Sequence, residues 1–220
     1  MSEQQSDLLR SHLHGKVVLV TGGGSGIGAA IAEAFGRHGS RVGIHYHSSD
    51  KQAITELIAR ISAAGGEAAA FQADFNSSRK IITTIEQVVQ KFGRLDILVN
   101  NAGSMVDRRS LEEVDDDFID QVIDLNARSV VTACRSVLPV FFQQGSGCII
   151  NISSISARTG GSPGSSIYSA AKAFVSTLTR SLARELADRQ IRVNAISPGT
   201  IDTAFHRQFS SREKLEKTRS

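Results

Sequence analysis

Tyr168 and Lys172 stand four residues apart in the run Ser166-Ile167-Tyr168-Ser169-Ala170-Ala171-Lys172. On a helix that spacing puts both side chains on one face, and a cation beside a phenol favours the phenolate. At about 4 Å and an effective dielectric of about 20 the attraction is roughly 4 kcal/mol, enough to draw a phenol pKa of about 10 down toward neutrality. A tyrosine tuned this way is a general acid for carbonyl reduction and a general base for alcohol oxidation. Upstream, Ile150-Asn151-Ile152-Ser153-Ser154 offers two hydroxyls on opposite faces of an extended strand. One of them, set beside the phenol, would bind a substrate oxygen as charge develops on it. Taken singly, these residues have ordinary uses: a helix-surface pair, a loop hydroxyl, and, for Asn126, a helix cap.

A second chemistry lies near the start. Val17-Val18-Leu19-Val20-Thr21-Gly22-Gly23-Gly24-Ser25-Gly26-Ile27-Gly28 passes from an apolar run through a glycine cluster into a helical pattern. Glycines there let the backbone turn tightly and approach a pyrophosphate, and let the following helix pack closely on its strand. The N-terminus of that helix offers unpaired N–H groups to phosphate oxygens.

Both features need a scaffold, and the rest of the chain supplies one. Strands are expected at Lys16–Thr21, Arg41–Tyr46, Ala68–Gln72, Leu95–Asn100, Cys148–Ser153 and Arg192–Ala195. Helices are expected at Ile27–His38, Lys51–Ala64, Arg79–Phe92, Leu111–Leu125, Ala127–Gln143 and Ile167–Asp188. This alternation predicts an α/β fold, a doubly wound parallel sheet of the Rossmann type with helices on both faces and right-handed crossovers. Ligands of such sheets bind beyond the strand C-termini, where Gly22–Gly28 and Gly160–Ser166 fall. Residues 1–14 read as a flexible segment and residues 15–220 as a single domain.

The motif Thr21, Gly22, Gly26, Gly28 resembles the fingerprint of the short-chain dehydrogenase/reductase family, and the family's other signatures follow in order. Asn100-Asn101-Ala102-Gly103 is similar to the sequence that closes the family's fourth strand and shapes the adenine side of its cofactor site. Asn126 resembles its helix-kinking asparagine, which anchors a proton-relay water. Ser154 matches the catalytic serine, chosen over Ser153 because the family's second serine at this place is the catalytic one. Tyr168 and Lys172 match its Tyr-x-x-x-Lys, and Ser197-Pro198-Gly199-Thr200-Ile201-Asp202-Thr203 resembles its Pro-Gly loop. The resemblance implies hydride transfer between a nicotinamide cofactor and a carbonyl or alcohol. Catalysis would fall to Asn126, Ser154, Tyr168 and Lys172, with Lys172 also binding the nicotinamide ribose. Cofactor contacts would come from Gly22, Ser25, Gly26, Ile27, Gly28, Asp74, Phe75, Asn101, Ala102, Gly103, Pro198, Gly199, Ile201 and Thr203. It further implies a homodimer or homotetramer built on the last two long helices. The segment from Ser154 to Tyr168 is about one residue longer than is common in the family. Relatives also continue past the Pro-Gly loop to a seventh strand, so six strands and a C-terminally short domain, an incomplete form, are expected here.

The cofactor's 2′ position is addressed by the end of the second strand, His45-Tyr46-His47-Ser48-Ser49. NAD-preferring sites usually carry an acid there, and Tyr46 takes its place. Asp50, at the start of the next helix, reads as an N-cap. His47, Ser48 and Ser49 are able to donate to a 2′-phosphate, so NADP(H) is expected, with NAD(H) as the alternative.

Composition narrows the remaining classes. At 220 residues with 40% hydrophobic and 21% charged residues, the chain has the make-up of one ordinary globular domain. A net charge of +3, with basic residues only in small mixed clusters, is too weak for a nucleic-acid footprint. No apolar run suits a membrane span and no leader is evident at the N-terminus, so a cytoplasmic protein acting on small molecules is expected. The two cysteines, Cys134 and Cys148, lack metal-ligand spacing and are expected as buried thiols. A cofactor-binding protein without turnover is the competing class, and the joint presence of Asn126, Ser154, Tyr168 and Lys172 argues against it.

Overall fold

The computed structural model describes residues 12–203 together with Phe205 and Phe209. Six parallel strands form one sheet: β1 (Val17–Val20), β2 (Arg41–Tyr46), β3 (Glu67–Gln72), β4 (Ile97–Asn100), β5 (Gly147–Ile152) and β6 (Ile191–Ile196), in the order β3-β2-β1-β4-β5-β6. Helices α1 (Gly26–Arg37), α2 (Lys51–Ala63), α3 (Ser78–Phe92), α4 (Asp116–Ile123), α5 (Ser129–Gln144), the short α6 (Ser156–Thr159) and α7 (Ser166–Glu185) fill the crossovers. The expected doubly wound sheet is therefore the observed one.

Alternation along β1 explains why both faces are covered. Val17 and Leu19 point into one core with Leu98, Ile149, Val88, Val137 and Val175, beneath α3, α5 and α7. Val18 and Val20 point into the other with Ile44, Val99, Leu57 and Ile61, beneath α1 and α2. Neither face of β1 meets water, which is why it reads as an unbroken apolar run. On β5 and β6 the registers pair Cys148 with Arg192 and Ile152 with Ile196, carrying the sheet to its edge.

Two of the expected helices differ from expectation in their bounds. The helix expected at Leu111–Leu125 is interrupted. Ser110 and Glu113 close a single 3-10 turn at Leu111–Glu113, where the Glu113 carboxylate accepts from the Ser110 N–H and hydroxyl. Asp115 then starts α4 by accepting from the Phe118 N–H at 2.7 Å. Two capping signals in succession restart the chain. The last helix stops at Glu185 rather than Asp188, giving way to a 3-10 turn at Ala187–Arg189 that Gln190 ends in a left-handed conformation. At the N-terminus, residues 1–11 lie outside the described residues. Leu13 is already docked, packing on the core and accepting at its carbonyl from the Ser40 hydroxyl. Among the described residues no helix is long and apolar enough to cross a membrane, and no group of three or more acidic, His or Cys side chains is placed to hold a metal.

Candidate active site

The glycine turn is built by contacts that only glycine permits. Gly22 and Gly26 have φ of +61° and +52°, the left-handed region that costs L-residues energy. A Cβ on Gly22 would stand 2.9 Å from the Cα of Ala102, and one on Gly28 would stand 2.1 Å from the carbonyl oxygen of Gly22. The turn is thus pressed between α1 and the loop after β4. Asn101 locks it by donating from Nδ2 to the carbonyls of Thr21 and Gly22, both at 3.0 Å. The Thr21 hydroxyl accepts from the N–H groups of Asn101 and Ala102. Ser25 precedes α1 without a side-chain cap, so the first-turn N–H groups and the positive end of the helix face the cavity.

That cavity, of about 320 Å³, runs from the turn to the C-terminal end of the sheet. Its walls include Gly22, Ser25, Gly26, Ile27, Gly28, Asn101, Ala102, Gly103, Ser154, Tyr168, Lys172, Pro198, Gly199 and Thr203. Its charged lining side chains are Arg108 and Lys172, and no carboxylate lines it among the described residues.

At the inner end β5 and α7 bring together Ser154, Tyr168 and Lys172, the residues whose types suggested chemistry. The Ser154 hydroxyl accepts from the Ser156 N–H at 3.1 Å and the Ser156 hydroxyl at 2.9 Å, and it is hydrogen-bonded to the Tyr168 phenol. Ser153 faces the other way: its hydroxyl donates to the Lys172 carbonyl at 2.9 Å and lies 2.7 Å from the Ser176 hydroxyl. The two adjacent hydroxyls thus have different partners, Ser154 the phenol and Ser153 the backbone of α7. Lys172 is 3% exposed and its ammonium donates to the Ile152 carbonyl at 3.0 Å. Burial pushes its pKa down to about 8.

The Tyr168 phenol does not behave as the sequence led us to expect. Burial raises it above the ordinary value, and the Ser154 hydrogen bond only partly opposes this. The Lys172 nitrogen lies 5.7 Å from the ring centroid and is committed to Ile152. The helical spacing is right, but Lys172 is buried and Tyr168 is half-buried at the cavity wall, so charging either is costly.

Asn126 sits in a π-helical turn, Asp124–Arg128, that joins α4 to α5. Such turns are frequent at functional sites. Its Nδ2 donates to the carbonyls of Ser104 at 2.7 Å and Val122 at 2.9 Å. Its Oδ1 is buried with no partner among the described residues. A Cβ on Gly103 would stand 2.7 Å from that oxygen and 3.0 Å from the Lys172 nitrogen, so the bare Gly103 separates the two polar groups.

The sequence model of the short chain dehydrogenase family matches residues 16–214. The chain belongs to that family. It is 41% identical over 204 residues to a 3-oxoacyl-[acyl-carrier-protein] reductase of Synechocystis, covering 93% of this chain and 81% of the relative. It is also 41% identical over 199 residues to 3beta-hydroxysteroid dehydrogenase 1 of Eggerthella lenta, covering 88% and 74%. Among solved structures it resembles a dehydrogenase/reductase of Sinorhizobium meliloti with a TM-score of 0.87 and 35% identity, covering 97% and 83%. The NADH-dependent reductase A1-R′ complexed with NAD gives 0.83 and 35%, covering 88% and 82%.

In this short-chain dehydrogenase the remaining expected cofactor residues lie farther out. His47 and Ser48 are exposed beyond β2. The Asp74 carboxylate accepts from the Asn76 N–H, which holds it below the usual carboxylate range. Phe75 turns its ring into the core. Ile201 is largely exposed, whereas Thr203 stands beside Gly26. Tyr46 is buried in the core beneath α1 and α2, and Asp50 caps α2 through the Gln52 N–H. Arg108, on the loop after β4, lines the cavity and donates to the carbonyls of Pro163 and Phe209. Sequence reasoning missed His45, and nothing in its spacing marks it. The buried thiols are as expected, with burial pushing Cys134 up to about 12.

Proposed function

We propose that this short-chain dehydrogenase is an NADP(H)-dependent carbonyl reductase. The observation that carries the reading is the meeting of Ser154, Tyr168 and Lys172 in the same cavity as the uncapped N-terminus of α1. The bare glycines, those N–H groups and a lining that, among the described residues, carries cations and no carboxylate fit a dinucleotide with its phosphates at α1. When bound, the nicotinamide cofactor supplies the hydride. Ser154 binds the substrate oxygen and Tyr168 gives it a proton. Lys172 holds the nicotinamide ribose, and the orphaned Asn126 oxygen accepts from a water that returns the proton to Tyr168. A phenol kept protonated by burial suits reduction, because the general acid must arrive carrying its proton.

NADP(H) is favoured because neither position expected to meet the ribose offers a free acid. Tyr46 stands where an acid would, and Asp50 is spent on capping α2. Ser49 lies against Gly24, where an added Cβ would be 2.6 Å from its hydroxyl, with His47 and Ser48 alongside to donate to a 2′-phosphate. The protein is further proposed to be cytoplasmic and to assemble through α5 and α7, whose Val131, Phe142 and Phe174 are exposed. The test is a panel of ketones, sugars and 3-oxoacyl thioesters assayed with NADPH and with NADH. Failure of every substrate to oxidise either cofactor would leave a binding protein without turnover. NADH binding tenfold tighter than NADPH would reverse the cofactor assignment.

A further inference from the structure

His45 takes no part in the chemistry above, yet it is 2% exposed on β2 and makes three directed contacts. Its Nδ1 accepts from the Gly22 N–H at 3.1 Å. Its Nε2 lies 3.0 Å from the Ala73 carbonyl. Its ring stacks on Phe75 with centroids 3.5 Å apart and an interplanar angle of 18°. The backbone adds a fourth tie, since the His45 carbonyl accepts from the Gly23 N–H at 2.7 Å.

An amide N–H only donates and a carbonyl only accepts, so these partners fix the tautomer with the proton on Nε2 and a lone pair on Nδ1. Burial pushes the imidazole pKa down to about 4, with the Ala73 carbonyl acting in the opposite sense, so the ring keeps that lone pair at neutral pH. His45 therefore braces two loops at the C-terminal edge of the sheet. One is the turn after β1, where Gly22 is held at positive φ against Ala102 and its carbonyl faces α1. The other is the loop after β3, where Ala73 precedes Asp74. An apolar side chain at this position would fill the space and leave the Gly22 N–H without an acceptor.

We propose that His45 is a positioning residue for the cofactor, its Nδ1 lone pair holding the Gly22 amide and with it the glycine turn in the shape that receives the pyrophosphate. This rests on the functional reading above and adds a determinant of cofactor affinity outside the cavity wall.

Three variants separate positioning from packing. In His45→Asn the carboxamide oxygen branches where Nδ1 did, so it still accepts from Gly22 but cannot span to Ala73 or stack on Phe75. In His45→Gln the amide group sits one bond farther out, toward Ala73. His45→Leu fills space and offers neither bond. Unfolding midpoints, dissociation constants for NADPH and NADH, and steady-state constants are measured for each. All three are expected to melt lower than the parent. His45→Leu should bind the reduced cofactors at least tenfold more weakly, His45→Asn within about threefold of the parent, and His45→Gln between them, with losses in the cofactor KM rather than in kcat. Parent-like binding by His45→Leu, or binding by His45→Asn no tighter than by His45→Gln, overturns the proposal. If His45→Leu does not fold, the Asn and Gln pair still decides it. A parent protein that binds neither cofactor refutes the functional reading itself, and the role of His45 with it.

Discussion

Replacing Gly28 with alanine adds one methyl group at the most closely packed of the described glycines. The new Cβ would stand 2.1 Å from the Gly22 oxygen, 2.5 Å from the Asn101 Nδ2 and 2.8 Å from the Gly22 carbonyl carbon. Non-bonded carbon contacts settle at about 3.5–4.0 Å, so α1 must retreat from the turn by about 1 Å or the turn must give way. The obstacles resist. Two are backbone atoms, and the third is the amide that locks Gly22 at 3.0 Å. Overpacking of this kind costs about 1–3 kcal/mol, against a gain of about 1 kcal/mol from alanine's helix propensity. With backbone in the way the upper range applies, leaving a net loss of about 2 kcal/mol. At about 2–4 °C per kcal/mol for a chain of this size, the melting midpoint should fall by roughly 4–8 °C. The same displacement moves the N–H groups that would meet the pyrophosphate, so reduced cofactor should bind at least tenfold more weakly, or about 1.4 kcal/mol. Differential scanning fluorimetry and a fluorescence titration with NADPH measure the two effects. Gly199→Ala is the control for stability: its Cβ would meet nothing within 4 Å, so its midpoint should change by no more than about 0.5 kcal/mol implies. Parent-like melting and binding in Gly28→Ala would refute the claim that this close approach shapes the site.

Tyr168→Phe keeps the ring and removes the hydroxyl, so kcat should drop by about 10²–10⁴ while cofactor dissociation constants stay put; substantial remaining turnover would move proton transfer elsewhere. Because burial raises the Tyr168 phenol, carbonyl reduction should be level through neutral pH and fall only in the alkaline range, and a stopped-flow profile with an inflection near pH 7 would contradict that. Ser154→Ala should lower kcat with little change in melting, whereas Ser153→Ala, which removes a buried donor to the Lys172 carbonyl and a partner of the Ser176 hydroxyl, should lower the melting midpoint more than Ser154→Ala does; the opposite ranking would mean the two serines were exchanged. Lys172 titrates at about 8 when folded against an ordinary 10.5, so between those values the unfolded chain binds a proton that the folded chain has shed and stability rises with pH. Below about 8 the buried ammonium costs the fold about 3 kcal/mol, less about 1 kcal/mol for its bond to Ile152. Lys172→Met should then be more stable than the parent at pH 7 by about 2 kcal/mol and lose that lead toward pH 10, while turnover collapses; urea midpoints showing no lead at pH 7 would refute it. Phe174, 47% exposed on α7, should be covered in an oligomer, and light scattering that shows only monomer at micromolar concentration would remove that interface.

The sheet was legible because its inner strands β1, β2, β4 and β5 are buried on both faces and announce themselves as short apolar runs between turn residues, while the half-exposed β3 and β6 follow from their place in the alternation. The glycine turn was legible because Gly22, Gly26 and Gly28 have no substitutes at their dihedrals and distances. The split of the segment from Leu111 to Leu125 was not read, although the signals were present in Ser110, Glu113 and Asp115. Apolar periodicity runs through caps without registering them. Ser153 and Ser154 were separable only by resemblance, since the partners that distinguish them, the Tyr168 phenol and the Lys172 carbonyl, both come from α7.

What spacing could not convey is how much water surrounds a pair of groups. Tyr168 and Lys172 share a face, as four residues on a helix require, but their electrostatics depend on α7 pressing them against β5. Burial raises the phenol and lowers the ammonium, so each is biased toward its neutral form. Helical spacing alone had suggested the charged forms. His45 was illegible for a related reason. A histidine inside a strand is usually a core residue, and only the positions of the Gly22 amide and the Ala73 carbonyl, set by two other strands, turn it into a brace. A motif specifies residues that touch the ligand, whereas the residues that hold those in place are specified by tertiary neighbours. The supports of a dinucleotide site therefore have to be sought in the contacts of its loops rather than in the chain that carries its fingerprint.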